Sequence, residues 1–306
     1  MSPLTADRAR QGTYSIVARD PGTGELGVAV QSHWFSVGPI VPWARAGVGA
    51  VATQANAELS YGPRGLDLLA AGHSAPEALA RLLAEDPLAD SRQVAFVDAA
   101  GRVATHTGTR CMAQAGDCQG DGVSCQANIM VNDRVWPAML AAYEQAPGAL
   151  TTRLLAALDA AEAQGGDLRG RQSAAIIVVP AAGEPWDTVV SLRVEDHPDP
   201  LGDLRRLMRL HDAYAQAGLG DERMAAGDHV QAAALYLKAC ELAPESDELH
   251  FWAAVGSATV GDLPVALSHL RRALAIQPSW RELLTRLVAE DLPAAGGLLQ
   301  ALDGER

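Results

Sequence analysis

Apolar positions in the first half of the chain come in short runs of strand length rather than in helical stripes. Thr13-Tyr14-Ser15-Ile16-Val17-Ala18-Arg19 and Gly27-Val28-Ala29-Val30-Gln31-Ser32-His33 flank a Pro-Gly-Thr-Gly turn, which predicts a β-hairpin over 12–33. The Gly- and Pro-rich segment 37–43 reads as a loop, and the apolar, glycine-dotted segment 47–54 as a buried third strand. Leu66, Leu69, Leu79, Leu82 and Leu83 then fall at helical spacing, predicting helices over 62–72 and 75–85. Ser74 is the expected N-cap of the second, with Pro76 and Glu77 in its first turn. Segments 92–98 and 102–106 form a second hairpin around Ala99-Ala100-Gly101, and a loop over 107–122 leads into a strand at 124–130. Helices over 133–145 and 148–164 stop at Gly165-Gly166, and strands over 172–179 and 188–194 close the region. Strands and helices arrive in blocks, which points to an α+β fold of antiparallel sheets with helices outside, not to a βαβ alternation.

The pattern changes after His197-Pro198-Asp199-Pro200, where only helical periodicity remains. A repeat with a period of 34 pairs Gly227 with Gly261, Ala232 with Ala266, Ala239 with Ala273 and Pro244 with Pro278. A helix–turn–helix period of this length, with small residues at the crossing and a closing proline, is the tetratricopeptide signature. Two units fall short of the three or so that such arrays need, so this module is expected to pack on the first domain or on a second subunit. The expected organisation is a tail or propeptide over 1–12, a sandwich domain over 13–200 and an all-α module over 201–306.

Composition narrows the chemistry. Of 306 residues 48% are apolar and 20% charged, as in folded globular chains. The formal charge of −13, from 24 basic and 37 acidic residues, opposes binding to nucleic acid or to an anionic membrane surface. The single lysine, Lys238, removes a P-loop lysine, a Schiff base or a Ser-Lys dyad from the first 237 residues. No run approaches the roughly 18 apolar residues of a membrane helix, and the N-terminus lacks the apolar core of a signal peptide. The expectation is a cytoplasmic protein. Cys111, Cys118 and Cys125 recur every seven residues, unlike the short cysteine pairs of zinc sites. They read first as free thiols, with a disulfide in the loop as the alternative and a metal site last; no metal or cofactor is expected.

Thr13 follows a glycine at the start of a strand near the beginning of the chain. Cleavage of Gly12–Thr13 would create an N-terminal nucleophile, whose hydroxyl attacks an amide while its own α-amine takes the proton. An α-amine titrates near 8, close to working pH, which suits that base. The alternative is an ordinary strand threonine. Ser2, exposed by loss of Met1, lies in a tail with no strand to position it, whereas Ser15 and Ser32 could present hydroxyls beside His33 as a base. Asn128 at a strand end could donate to an oxyanion. Asp167, Arg169, Arg171, Gln172 and Ser173 concentrate polar groups before a buried strand, for carboxylate recognition and orientation of the nucleophile or as a loop-closing ion network. Thr53-Gln54-Ala55-Asn56 marks another strand end, and Tyr61-Gly62-Pro63-Arg64 a further wall. The expected catalytic set is Thr13, Asn128, Asp167 and Ser173, and the expected substrate-binding set is Ser32, His33, Thr53, Arg169 and Arg171.

The segments TYSIVARDPGTGELGVAVQSHWFSVGPIVPWARAGVGAVATQA, YGPRGLDLL, RQVAFVD, QANIM and GGDLRGRQSAAIIVV resemble DUF1028, a bacterial and archaeal family of unknown function. Its members look like N-terminal-nucleophile (Ntn) hydrolases. The resemblance covers about the first 200 residues and implies a four-layer αββα sandwich. It also implies an amidohydrolase acting on a small amide or peptide-like substrate. The rival expectation is a catalytically silent scaffold whose helical module mediates oligomerisation or partner binding. A homo-oligomer, possibly a dimer, is the expected assembly, with Phe251, Trp252 and Trp280 as candidate buried anchors.

Overall fold

A computed structural model describes residues 12–290 and 292–304. The tail or propeptide expected over 1–12 therefore lies, apart from Gly12, outside the described residues. The chain divides into two compact units, Met1–Arg205 and Arg206–Arg306.

The first unit is mixed α and β with antiparallel sheets. Strands β1 (Thr13–Arg19), β2 (Leu26–Ser32), β7 (Gly116–Gly120), β8 (Val123–Asn128), β9 (Ser173–Val179) and β10 (Val190–Val194) form a six-stranded sheet in the order β10-β9-β2-β1-β8-β7. Strands β3 (Pro42–Arg45), β4 (Gly49–Ala55), β5 (Arg92–Asp98) and β6 (Val103–Thr107) form the second sheet in that order. The sheets face each other because alternate residues of their central strands are apolar on the inner side: Val17, Val28 and Val30 meet Ala50, Ala52, Ala95 and Val97 in one buried cluster.

Helices cover the outer faces. α1 (Tyr61–Ala70) and α2 (Ala75–Glu85) place Leu66, Leu69, Leu79 and Leu82 against Val51, Val94 and Phe96 of the second sheet. α2 starts at a capping box in which Ser74 Oγ accepts from the Glu77 amide and the Glu77 carboxylate accepts from the Ser74 amide. α1 lies close to the sheet because Gly65 carries no side chain; a Cβ there would stand 2.4 Å from the Phe96 ring. α3 (Val135–Gln145) and α4 (Leu150–Ala163) cover the six-stranded sheet, where Gly27 of β2 admits Leu154 of α4.

Two strands stand where loops were expected. Pro42–Arg45 is β3, at the edge of its sheet, and Pro42 opens it, a position where a missing N–H removes no ladder bond. Gly116–Gly120 is β7, also an edge strand; its polar sequence GDCQG leaves no apolar alternation to read.

The second unit is helical. α5 (Pro200–Ala225) enters it, followed by α6 (His229–Leu242), α7 (Asp247–Thr259), α8 (Leu263–Ile276), α9 (Trp280–Ala289) and α10 (Pro293–Gly304). The 34-residue spacing maps onto equivalent geometry. Gly227 and Gly261 take φ of +79° and +83°, and Asp228 and Asp262 each cap the next helix through the amide three residues on, both at 3.2 Å. Ala232 and Ala266, and Ala239 and Ala273, are fully buried at the helix contacts.

The three aromatic residues expected as anchors cluster within this unit. Phe251 is 0% exposed within this unit's own core, stacked on Trp280 (centroids 4.7 Å apart) with Trp252 edge-on at 5.2 Å. Trp252 and Trp280 are only half-buried. Among the described residues, no helix is long and apolar enough to cross a membrane.

Candidate functional site

The register of the six-stranded sheet sets one polar row across four strands. Asn128 pairs with Thr13, Thr13 with Ser32, and Ser32 with Ser173. Two residues further in on the same face the row reads Gln126, Ser15, Val30 and Ala175, so polarity fades towards the valine cluster. The opposing sheet answers with Gln54 and Gln93, paired across β4 and β5. One end of the space between the sheets is thus filled by hydroxyls and amides, the other by Val and Ala.

The amides are satisfied within this layer. Ser15 Oγ donates to Gln54 Oε1 and accepts from Gln126 Nε2, both at 2.6 Å. Gln54 Nε2 donates to Gln93 Oε1 at 2.8 Å, and Asn128 Nδ2 donates to the same oxygen at 2.9 Å. Gln93 Nε2 donates to the Ala127 carbonyl at 2.9 Å and to Thr107 Oγ1 at 3.0 Å. Gln54 and Asn128 also reach the Thr13 carbonyl oxygen, at 3.3 and 3.5 Å. Buried polar groups demand this completeness, since each orphaned donor or acceptor costs about 1–3 kcal/mol.

Thr13 lies 2% exposed at the outer margin of the layer. Its Oγ1 donates to Ser32 Oγ at 3.0 Å, and Ser32 Oγ donates to the Gly12 carbonyl oxygen at 2.5 Å. Arg169 Nη2 donates to that same oxygen at 2.5 Å. The carbonyl preceding Thr13 is therefore held by a hydroxyl and a cation. Arg169 is in turn fixed by Asp167, whose fully buried carboxylate accepts from Nη2 at 2.7 Å, from the Arg169 amide at 2.9 Å and from the His33 amide at 3.2 Å. A Cβ at position 12 would sit 2.8 Å from Asp167 Oδ2 and 2.9 Å from Arg169 Nη2, so any larger residue there displaces the ion pair.

Backbone strain surrounds the site. Ala55 and Ile129 directly follow Gln54 and Asn128 and take φ of +66° and +59°. This is an uncommon conformation for alanine and an outlier for β-branched isoleucine. At Ile129 the turn lets Met130 bridge Asp167 and lets the Ile129 carbonyl accept from the Leu168 amide at 3.0 Å. Strain at Ile129 thus joins the strand carrying Asn128 to the loop carrying Asp167 and Arg169.

Among the expected residues, the structure gathers Thr13, Ser32, Asn128, Asp167 and Arg169. His33 stands beside them, with its Nδ1 buried and lacking a hydrogen-bond partner among the described residues. Ser173 points to the 34–37 loop, donating to the Trp34 carbonyl at 2.5 Å and accepting from the Val37 amide at 3.1 Å. Thr53 bonds the Glu58 carbonyl on the helix-covered face of its sheet, opposite the face that carries Gln54. Arg171 is half exposed and pairs with Glu162 and Asp199 at 3.5 and 3.4 Å. Tyr61 and Arg64 line a separate cleft of about 270 Å3 with Glu58, Glu85 and Asp86. Sequence reasoning does not single out Gln93, Gln126 or Ser124. For Ser124 and Gln126 the signal is a polar residue at every second position of a strand that should be buried; Gln93, followed on its face by Ala95 and Val97, carries none.

The cysteines at seven-residue spacing separate. Cys118 and Cys125 face each other across β7 and β8, whereas Cys111 bonds the Arg92 carbonyl; all are free thiols. A hydrogen bond from Cys125 pulls the Cys118 thiol below its ordinary value, and burial pushes Cys125 up.

A family described as of unknown function, DUF1028, matches residues 13–204. The chain belongs to the DUF1028 family. The crystal structure of protein SPO2555 from Silicibacter pomeroyi, assigned to DUF1028, is 30% identical and superposes with a TM-score of 0.59. The match covers 65% of this chain and 88% of that one. No curated protein gives a significant match. The matched region includes the polar layer, the Asp167–Arg169 pair and the Ser32 and Arg169 donors to the Gly12 carbonyl; Gly12 itself precedes it.

Proposed function

We propose that this DUF1028 protein is an Ntn-type amidohydrolase, its first unit an αββα sandwich of that kind, which activates itself by cutting Gly12–Thr13. The observation that carries this reading is the pair of donors on the Gly12 carbonyl, Ser32 Oγ and Arg169 Nη2, each at 2.5 Å. They stand where an oxyanion forms when the neighbouring hydroxyl attacks. Thr13 Oγ1 adds to the Gly12 carbonyl carbon, and its proton passes to Ser32 Oγ while the Ser32 proton moves to the developing oxyanion. Collapse breaks the C–N bond, the Thr13 nitrogen takes the proton, and an ester remains. Water hydrolyses the ester, leaving a Gly12 carboxylate and a free Thr13 α-amine.

In the processed enzyme that amine serves as the base, and a small amide or peptide-like substrate places its carbonyl where that of Gly12 stood. Asp167 holds Arg169, and Asn128 with Gln54 holds the Thr13 carbonyl, which fixes the nucleophile's strand end. A β-lactone probe offered to protein processed at Thr13 is expected to acylate Thr13 Oγ1, with no acylation in Thr13→Ala. Processed protein that leaves the probe untouched contradicts the reading.

The 2% exposure of Thr13 favours a second reading, a silent scaffold whose helical unit does the work. In it the 34-residue pair acts as a tetratricopeptide-like module that binds a partner or a second copy of the chain. Protein with an uncut Gly12–Thr13 bond and a stable dimer lost on deleting 206–306 supports that alternative.

A further inference from the structure

Three consecutive helices of the second unit bring a thiol and two imidazoles together. Cys240 lies in the last turn of α6, His250 in the first turn of α7, and His269 midway along α8. One ligand atom from each lies within 4.8 Å of the others. Cys240 and His250 are buried, and His269 is partly so. We infer that Cys240, His250 and His269 form a binding site for one borderline-soft divalent metal ion, of which Zn2+ is the type.

The imidazole geometry supports this. His250 Nε2 donates to the Pro244 carbonyl at 3.0 Å, which fixes the tautomer and leaves Nδ1 with a lone pair. A backbone carbonyl on the far ring nitrogen is how proteins orient ligating histidines. That Nδ1 faces His269 Nδ1 at 2.8 Å, so without metal one N–H···N bond satisfies both rings. A tetrahedral zinc with its usual Zn–S and Zn–N lengths separates its ligand atoms by roughly 3.3–3.6 Å. The two nitrogens therefore part by about half an ångström and the thiol closes in. Three ligands on three helices leave a fourth position for water.

Protons balance simply. The Cys240 thiol releases one proton to solvent, and His269 moves its proton from Nδ1 to Nε2, freeing the Nδ1 lone pair. Burial holds both imidazoles below their ordinary values, so they are neutral at pH 7, as ligands must be. Burial raises the thiol to about 11 even though the Arg272 guanidinium acts to lower it. Arg272 lies three residues beyond His269, and its charge bears on all three ligands. Its charge opposes a bound cation and at the same time favours the Cys240 thiolate.

The test uses the full chain, stripped with a chelator and titrated with Co2+ alone. One equivalent should bind with a thiolate-to-cobalt charge-transfer band, and Zn2+ should displace it. Cys240→Ala should lose the band, which also excludes Cys118 and Cys125 as its source. His269→Gln should weaken binding more than about tenfold. Helical circular dichroism before metal addition checks the fold of each variant; His269→Gln, at a partly exposed site, decides if Cys240→Ala fails to fold. A wild-type chain that shows no band, or a folded variant of either ligand that binds like wild type, overturns the site.

Discussion

Gln93 shows how far a single residue can govern the interior of this protein. Its Oε1 accepts from both Gln54 and Asn128, and its Nε2 donates to the Ala127 carbonyl and to Thr107. Gln93→Leu keeps the volume and removes every partner at once. The Gln54 and Asn128 amides then lose their shortest acceptor and keep only the longer contacts to the Thr13 and Gln126 carbonyls, and the loss of stability is expected at about 1–3 kcal/mol by urea unfolding. A cost under 1 kcal/mol would show that water replaces the amide and that the layer is looser than described. At this scale the sequence was partly legible. Thr13, Asn128, Asp167 and Arg169 announce themselves as polar residues at strand ends or in a Gly-rich loop. Gln93 and Gln126 do not, because a glutamine in a strand reads as outward-facing until the partner sheet is known. The same ignorance of the partner sheet put Thr53 in the site instead of Gln54, one residue away on the opposite face.

Elements were read best where one period ran without interruption. The β1–β2 hairpin, both helix pairs and the 34-residue repeat all show it. β3 and β7 escaped because their sequences, PWAR in a Gly- and Pro-rich stretch and the polar GDCQG, carry no apolar alternation, unlike the edge strands β6 and β10. The repeat makes a further expectation quantitative. Gly227 and Gly261 occupy the same left-handed position before equivalent Asp caps, with open space where a Cβ would go. Gly227→Ala and Gly261→Ala should each cost about 1 kcal/mol from backbone strain alone. Two unequal values, one near zero, would show that the 34-residue correspondence is not energetic.

For the molecule as a whole, the tyrosines set an alkaline limit. All five are shifted upward, first by burial: Tyr14 strongly, with Glu162 beside it, and Tyr143 to about 12. An unfolded tyrosine ionises near 10, so above that pH the unfolded chain binds fewer protons than the native one and stability falls as pH rises. Phenolate absorbance should therefore appear together with the loss of circular dichroism, above pH 10. A smooth titration centred on 10 with the fold intact would contradict the burial described. The acidic charge and the lack of lysine before Lys238 exclude mechanisms without naming one, so the function rests on a single bond. The most direct measurement is the intact mass and N-terminal sequence of the purified chain over time. The account predicts conversion to a chain beginning at Thr13, slowed about 10²–10³-fold in Ser32→Ala or Arg169→Gln and abolished in Thr13→Ala. A natively folded wild-type chain whose Gly12–Thr13 bond stays whole would contradict it.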